Sequence, residues 1–320
     1  MESIRRKNPD DLVLGLVCDL LLEKHVYGEV TFSDEHAVSF SAFFNNSPAV
    51  ANMREEVCAW ANYFIEGLPS INLNFADLGC GDGRAIGKVI KRCEPLIQRK
   101  VNLFLNDPLE KMISMAEQHI RGLCQDINVS VAIYRCIGKA EDPLVAEAMK
   151  NFFADEMKNA IVIANLSIHH MPYETKQVLL QQMAAIKPRL FILGEANSEH
   201  DVHLPPKSPG IVANTMRLYN NLIYMLKDNN ATEEILRAAR FFLGSEARNI
   251  IMNDLDKRID YHTTVEHWKE LLERAGFTII NPQDVVPYLT DTSARRITLT
   301  HFDSFVYQGE ALCFTLGARC

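Results

Sequence analysis

The sequence predicts an α/β fold in which a doubly wound, largely parallel sheet carries helices on both faces. Short apolar strands alternate with helical patterns from about residue 72 to residue 195, and this alternation is typical of parallel sheets. A glycine-rich turn follows the first strand, and polar residues end the later ones. The chain has 320 residues, of which 48% are hydrophobic, so it can bury one large core and carry a helical insertion.

Seven strand-like segments are expected to form the sheet. They lie at 73–78, 101–106, 130–137, 160–166, 189–194, 277–281 and 309–316. Helices are expected at 83–94, 108–122, 143–157, 173–186, 210–228, 231–243 and 264–275. Before the sheet, apolar spacing predicts one helix between Leu12 and Leu22 and another over 49–66. We therefore expect a helical N-terminal cap at 1–68, the ligand-binding core at 69–204, a helical lid insertion at 205–245 and a C-terminal completion of the sheet at 246–320.

Charge and cysteine usage narrow the expected partners. The net charge is -8, so the chain has no general attraction to a phosphate backbone, and no nucleic acid is expected. The apolar stretch near Leu12 is short and contains Asp19, so neither a signal peptide nor a membrane partner is expected. The eight cysteines form no CxxC pair and no metal-ligand spacing with histidine, so we expect no metal and a cytoplasmic location. A homodimer is left open.

The first segment that carries chemistry is the turn Asp77-Leu78-Gly79-Cys80-Gly81-Asp82-Gly83. Its GxGxG spacing differs from the GxGxxG turn that opens toward a pyrophosphate. Asp77 at the strand tip disfavours a phosphate and suits the α-ammonium group of a bound amino acid. A purely structural turn is the alternative.

Two further loops follow the next strands. Asp107 stands where an acid would bind ribose hydroxyls, although it is also placed to cap a helix that begins at Pro108. Around Ala140 and Glu141, backbone groups could meet an adenine edge, and the alternative is a helix cap by Asp142.

The fourth and fifth strands end in candidate catalytic groups. His169 and His170 follow the fourth strand, at the sheet edge where such folds bind ligands, and Glu195 ends the fifth. His170 and Glu195 are the first candidates for a base, before His169 and His200. Structural histidines and a solvated carboxylate are the alternatives.

Apolar and aromatic residues of the cap and lid are expected to form a substrate chamber, with His169 and Asn197 as polar contacts. Core packing is the alternative for each, and Arg217 is either a carboxylate ligand or an ion-paired residue. The expected apolar lining is Phe40, Phe43, Phe44, Met216, Tyr219 and Tyr224.

These segments, in this order, resemble class I S-adenosylmethionine-dependent methyltransferases across about residues 70–195. The resemblance implies a Rossmann-like, seven-stranded sheet and S-adenosylmethionine as methyl donor, with S-adenosylhomocysteine as product. Many members of that family carry an acid where this chain has Lys139. The implied cofactor-binding residues are Asp77, Gly79, Cys80, Gly81 and Gly83 for the methionine part, Asp107 and Pro108 for the ribose, Ala140 and Glu141 for the adenine, and Asn165 and Leu166 beside them.

A second resemblance covers the C-terminal half. Gly194-Glu195-Ala196-Asn197, the segment 243–251, Trp268 and Ala275-Gly276-Phe277 are similar to the GRAS domain. Plant members of that family are transcriptional regulators, whereas bacterial members keep a glycine loop and are thought to be small-molecule methyltransferases. The intact loop favours the bacterial kind. The segment FSDEHAVSFSAFF is also similar to small-amine methyltransferases.

The predicted function is in-line transfer of a methyl group to an oxygen or nitrogen of a small molecule, a reaction that depends on proximity and desolvation. The alternative is a GRAS-like interaction protein that binds S-adenosylmethionine or a small molecule without turnover. An amide or exocyclic-amine methylase is disfavoured, because the sequence at 165–168 reads Asn-Leu-Ser-Ile in place of the motif N/D-P-P-Y/F.

Overall fold

The computed structural model describes residues 34–66, 72–93, 100–289, 296–298, 300–307 and 309–320. Within them, nine strands belong to one sheet. They are β1 (Asn72–Leu78), β2 (Lys100–Asp107), β3 (Ser130–Ile137), β4 (Ala160–Asn165), β5 (Leu190–Ala196), β6 (Thr278–Ile279), β7 (Arg296–Ile297), β8 (Phe302–Tyr307) and β9 (Glu310–Arg319).

Of the main helices of the described residues, two precede the sheet, four alternate with its strands, two form what we call the lid (Pro209–Asp228 and Glu233–Met252), and the last packs on the sheet. They are α1 (Asp34–Asn46), α2 (Pro48–Glu66), α3 (Arg84–Cys93), α4 (Glu110–Asp126), α5 (Pro143–Phe153), α6 (Tyr173–Ile186), α7 (Pro209–Asp228), α8 (Glu233–Met252) and α9 (Val265–Arg274). None of the helices in the described part is long and apolar enough to cross a lipid bilayer.

The strand order is β3-β2-β1-β4-β5-β9-β8-β7, and β6 pairs with β9. The first five strands are parallel, whereas β9 runs antiparallel to β5. The order reverses between β1 and β4, and ligands of open α/β sheets bind at such a switch point. The α/β class is confirmed, but the expected count of seven strands is wrong.

The two unexpected strands, β7 and β8, arise from tertiary pairing. β8 and β9 form a hairpin around Gly309, which has a φ of +85°. Phe302 of β8 packs against Trp60 of α2, with ring centroids 5.5 Å apart. Because polar residues such as Asp303 interrupt its apolar pattern, β8 carries little local strand signal.

Side chains alternate between the two faces of the sheet and meet a helical layer on each. Phe75, Leu103 and Ile163 belong to the core shared with α2, α3 and α4. Phe104, Val162 and Leu193 belong to the core shared with α5, α6 and α9. This double burial explains the nearly continuous apolar runs of β1, β2, β4 and β5.

A third core joins the N-terminal helices to the lid. Phe43, Met53, Leu222 and Phe242 pack together there and connect α1, α2, α7 and α8. α1 forms where no regular helix was delimited, and α8 continues to Met252, past the expected end at 243. The expected helix near Leu12 lies outside the described residues, and the division at 68, 204 and 245 stays a prediction.

Candidate functional site

The glycine turn bends sharply between β1 and α3. Gly79, Gly81 and Gly83 have φ values of +67°, +51° and +75°, a backbone region that favours glycine. A Cβ at Gly79 would lie 2.4 Å from the Cβ of Ser167, and one at Gly83 would lie 2.8 Å from the Cα of Ala116. The turn therefore packs directly on the loop after β4 and on α4.

Asp107 ties this turn to the end of β2. Its Oδ2 accepts the backbone N–H of Gly81 at 3.1 Å, and its Oδ1 accepts that of Leu109 at 2.9 Å. Burial raises the pKa of this carboxyl group, while the two backbone hydrogen bonds oppose the increase. Since α4 begins after Leu109, Asp107 organises the loop and does not occupy the helix cap position.

Asp77 is a buried carboxyl group at the tip of β1, with 2% of its surface exposed. Its Oδ2 has no hydrogen-bond partner among the described residues. Burial, followed by the charges of Asp107 and Asp82, raises its pKa to about 7. A buried acid with a free oxygen is suited to a cationic ligand group.

Apolar side chains stand exposed around Asp107. Leu109, Ile137 and Leu144 are 45%, 54% and 68% exposed, respectively, and lie after β2, at the end of β3 and at the start of α5. Exposed apolar side chains grouped in this way are typical of a ligand-binding surface.

In the loop after β3, Asp142 has the helix-capping role that the sequence offered as the alternative to an adenine contact. Asp142 caps α5 by accepting the backbone N–H of Leu144 at 2.9 Å, and Pro143 is the first residue of the helix. Ala140 is buried, and the carbonyl of Glu141 accepts a hydrogen bond from Gln182.

Leu166 has an unusual backbone conformation at the end of β4. Its φ is +54°, which a non-glycine residue rarely adopts, and its N–H donates to the carbonyl of Gly194 at 2.7 Å. The adjacent Asn165 lies so near that a Cβ at Gly194 would be 2.4 Å from its Oδ1. Strained residues of this kind cluster at functional sites.

Glu195 and His169 form a buried dyad above this loop. Oε2 of Glu195 lies 2.8 Å from Nδ1 of His169, and Oε1 accepts the backbone N–H groups of Ser167 and Ile168. Burial alone would raise the pKa of Glu195, but His169 and the two backbone donors lower it overall. The carboxylate therefore holds the His169 ring and leaves Nε2 free of Glu195.

His170 points to a different acid. Its Nδ1 lies 3.0 Å from Oδ1 of Asp260 and 3.1 Å from the carbonyl of Ile259. Partial desolvation of the ring would lower the pKa of His170, but the hydrogen bond and charge of Asp260 raise it to about 9. The side chain is 55% exposed, so His170 is a partly open histidinium.

A buried lysine and a buried arginine hold the segment that carries Asp260. Lys176 donates to Asp201, to Thr263 and to the carbonyl of Tyr261. Arg258 donates to the carbonyls of His200, Val202 and Leu204. These bonds fix the segment 258–263 beneath the lid.

A polar group of residues closes one end of the site. His262 stacks on His169 with ring centroids 4.4 Å apart, and its Nε2 lies 3.3 Å from the hydroxyl of Tyr219. Burial lowers the pKa of His262 well below its ordinary value. Burial and the charge of Asp260 raise the pKa of Glu246 well above its own. Both shifts favour the uncharged forms of His262 and Glu246.

A narrow apolar pocket of about 40 Å³ adjoins this polar end. It lies between the N-terminal helices, the loop after β4 and the lid. Its polar lining is His169, Tyr219, Glu246 and His262, and its apolar lining is Phe43, Phe44, Ala49, Val50, Leu166, Ala196, Leu218, Leu222, Phe242, Leu243 and Cys313.

The structure brings only part of the expected substrate set to this pocket. Phe40 packs on Phe44 from outside the lining, with ring centroids 4.1 Å apart. Met216 belongs to the lid core. Both ends of the Asn197 amide are used, since Nδ2 donates to the Ala311 carbonyl and Oδ1 accepts from Val265. Tyr224 is outside the lining as well.

Arg217 and His200 make structural contacts at positions where the sequence also suggested a functional role. Arg217 forms an ion pair with Glu310 at 3.0 Å, which agrees with the alternative given for it. His200 is fully buried, and its Nε2 lies 3.0 Å from the hydroxyl of Ser198. Burial lowers the pKa of His200 to about 3, so His200 is a structural residue of the polar group.

Sequence reasoning missed Glu246, Asp260 and His262. Glu246 lies in the segment that resembles the GRAS domain, and this was its one signal. Asp260 and His262 lie in a polar stretch between two helices, far along the chain from β4. The seven cysteines within the described ranges are free, and most of them are buried.

The fold and the site define an α/β protein whose parallel sheet has a switch point between β1 and β4. The GRAS domain family model matches residues 105–315. Because this match covers more than half of the chain, the protein belongs to the GRAS domain family.

Relatives agree with this membership. Scarecrow-like protein 28 of Arabidopsis thaliana is 20% identical over 164 residues, which cover 49% of this chain and 24% of that protein. The chain thus spans about a quarter of the length of this curated relative.

Among the solved structures to which the chain is similar, one shares its fold. The crystal structure of SCL7 of Oryza sativa has a TM-score of 0.74 at 13% identity, over 99% of this chain and 93% of that one. Human N-acetylserotonin methyltransferase in complex with SAM has a TM-score of 0.39 at 16% identity, over 96% of this chain and 66% of that one. At that score the likeness carries no conclusion about activity.

Proposed function

We propose that the protein is an S-adenosylmethionine-dependent methyltransferase that acts on a small, apolar molecule through a hydroxyl group. One observation carries this proposal. The loop after β4 packs on the glycine turn through Ser167 and also presents His169, held by Glu195, to the apolar pocket. A donor site and an acceptor site therefore share one loop, as a transfer reaction requires.

The proposed donor site has a cationic, a polar and an apolar part. Asp77, buried and with one oxygen free, binds the α-ammonium group of the cofactor. Asp107 uses two hydrogen-bond positions for backbone donors, and a carboxylate has about four, so lone pairs remain for ribose hydroxyls. Exposed Leu109 and Leu144, with the backbone near Ala140, flank the adenine.

Gly79, Gly81 and Gly83 let the methionine part approach the backbone in this scheme. Five further residues stand around the cofactor in this scheme, on the glycine turn, on the loops after β2 and β3, and at the end of β4. They are Cys80, Pro108, Glu141, Asn165 and Leu166. The donor brings its own reactive sulfonium, so the residues of this chain bind, orient and exclude water.

We assign proton removal to His169, where the sequence favoured His170. His169 lines the pocket, and Glu195 holds its Nδ1 so that Nε2 is the nitrogen that takes a proton from the acceptor hydroxyl. Glu195 is then a positioning residue. His170 has its Nδ1 occupied by Asp260 and the Ile259 carbonyl and does not line the pocket.

The lining of the pocket defines the acceptor. Within the described residues no lysine or arginine lines it, and burial and the charge of Asp260 raise the pKa of its carboxyl group, Glu246, well above its ordinary value. A charged acceptor would lose its hydration without compensation there. At about 40 Å³ the pocket admits only a small group, and aromatic rings such as Phe43, Phe44 and Phe242 favour an uncharged one. A hydroxyl nucleophile also explains the need for a base.

Transfer of a CD₃ group tests this function. The protein is incubated with CD₃-labelled S-adenosylmethionine and a panel of phenols and enols, amines and carboxylic acids, and products are identified by mass spectrometry. The proposal predicts CD₃ ethers of uncharged hydroxyl compounds that disappear in His169→Asn. Labelled amines or esters as the only products would contradict the acceptor class.

A second function is favoured by the family. SCL7 shares the whole fold over 99% of this chain, and a regulator would bind S-adenosylmethionine or a small molecule without turnover. Binding of S-adenosylhomocysteine with no labelled product from any acceptor would favour that function. A small-molecule partner, a cytoplasmic location, a homodimer and the lack of a nucleic-acid partner stay predictions.

A further inference from the structure

His169 and His170, on the loop after β4, come together with Asp260 as a set of metal ligands. Oδ1 of Asp260 lies 3.0 Å from Nδ1 of His170 and 4.0 Å from Nε2 of His169. One ligand atom from each of the three residues lies within 4.8 Å of the ligand atoms of the other two. Bonds of roughly 2.0–2.2 Å in a tetrahedral zinc site place the ligand atoms roughly 3.3–3.6 Å apart.

The surroundings of Asp260 favour a bound cation. Asp260 is fully buried, and its Oδ2 has no hydrogen-bond partner in the part of the chain that the structure describes. Within that same part its ion-pair contacts are histidine rings, and no lysine or arginine pairs with it. A buried carboxylate is costly unless it is paired or coordinates a metal. A metal ion would displace the proton of His170 and take its place as the positive partner of Asp260.

Glu195 completes the arrangement as an outer support. Its hydrogen bond to Nδ1 of His169 at 2.8 Å directs the lone pair of Nε2 toward Asp260. Histidines that bind metals almost always donate their other ring N–H to a carboxylate or carbonyl in this way. His170, at 55% exposure, gives an ion a path from solvent.

We propose that His169, His170 and Asp260 bind a divalent transition-metal ion of the Zn²⁺ class. Two imidazole nitrogens and one carboxylate oxygen suit Zn²⁺ and Co²⁺, whereas Mg²⁺ and Ca²⁺ prefer a shell of oxygen ligands. Three protein ligands leave one position for water.

The ion has a consequence that rests on the proposed function. It occupies Nε2 of His169, the atom that takes the proton from the acceptor. A bound ion therefore inhibits methyl transfer, and a chelator restores it. Binding of the ion is independent of whether the protein transfers methyl groups.

Competition with a chromophoric chelator tests the site on the full chain. Wild-type protein is expected to take up one Zn²⁺, and Co²⁺ is expected to give the intense visible absorption of a tetrahedral site. Removal of a ligand in His170→Asn or Asp260→Asn should weaken Zn²⁺ binding by more than about 100-fold, and Glu195→Gln by roughly 10- to 100-fold. The matched control His203→Asn changes an exposed histidine outside the cluster and should bind as wild type.

Calorimetry with S-adenosylhomocysteine separates this proposal from the proposed function, because its binding does not depend on the metal ligands. If Asp260→Asn unfolds, His170→Asn decides the question, since its side chain is largely exposed. Equal Zn²⁺ affinity in wild type and His170→Asn, or no uptake by folded wild type, would overturn the metal site and show a plain His170–Asp260 ion pair.

Discussion

Glu195 holds His169 with one carboxylate oxygen and the loop before it with the other. Oε2 lies 2.8 Å from Nδ1 of the histidine, and Oε1 accepts the N–H groups of Ser167 and Ile168 at 3.1 and 2.9 Å. The position of the ring and the course of the loop after β4 therefore depend on the same carboxylate.

Glu195→Gln is expected to reduce turnover, because an amide cannot accept at both positions and the orientation of His169 is lost. Loss of the base in His169→Asn should lower kcat by on the order of 10²- to 10⁴-fold, and Glu195→Gln should move in the same direction. Single-turnover kinetics with a CD₃ acceptor from the panel measures both variants.

The control for this pair is the affinity for S-adenosylhomocysteine. We expect it to stay within a factor of about two in both variants, because neither side chain is assigned to the donor site. Full turnover in His169→Asn would remove the histidine from the mechanism.

Gly79→Ala and Gly83→Ala should destabilise the protein. The added Cβ atoms would lie 2.4 Å from Ser167 and 2.8 Å from the backbone of Ala116, at φ values above zero. We expect a loss of unfolding free energy of at least about 1–3 kcal/mol for each. Urea denaturation followed by circular dichroism gives these values.

Gly122→Ala is the matched control for the glycine turn. Gly122 lies in α4 with no atom within 4 Å of an added Cβ, so alanine should stabilise the helix by roughly 0.5–1 kcal/mol. If Gly79→Ala and Gly83→Ala behave like this control, the close packing of the turn is not what the structure describes.

Asp77 makes cofactor binding depend on pH. Its pKa is raised to about 7 in the free protein, chiefly by burial, and a bound α-ammonium group favours the ionised form. Binding therefore releases a proton below pH 7, and affinity for S-adenosylhomocysteine should rise with pH and level off above about 7. Calorimetry in buffers of different ionisation enthalpy measures the released protons.

The same shift predicts a stability profile. The folded pKa of Asp77 lies above the unfolded value, so ionisation opposes folding, and this cost is absent at low pH. It sets in above pH 4 and is complete above about 7. Asp77→Asn should remove this part of the profile and the proton release together. An Asp77→Asn variant that keeps the pH dependence of wild type would assign it to another group.

Local sequence signals were sufficient for the first five strands and the glycine turn. β1 and its glycines are neighbours in the chain, and β1, β2, β4 and β5 are apolar because both faces of the sheet are covered. β8 could not be predicted in this way because it exists through pairing with β9. α1 is defined mainly by its contacts with α8, which its own mixed composition does not reveal.

The residues of the proposed acceptor site also depend on tertiary contacts, so the sequence could predict them only in part. His169 and His170 are adjacent and chemically identical in the sequence, and only the positions of Glu195 and Asp260 distinguish their roles. Asp260, His262 and Glu246 reach the site through the folding of the lid, so no spacing in the chain indicates them. The place of Asp107 at the end of β2 was predictable from the apolar strand before it, and its role as a ribose ligand stays a prediction.

Calorimetric titration with S-adenosylhomocysteine is the most direct test of the central claim, that the glycine turn and Asp107 form a cofactor site. Wild type should bind one molecule per chain. Asp107→Asn should bind at least about tenfold more weakly, a loss of about 1.4 kcal/mol, while Asp126→Asn, an exposed aspartate in α4, should bind as wild type. No binding by wild type, or equal affinity in Asp107→Asn, would contradict the account.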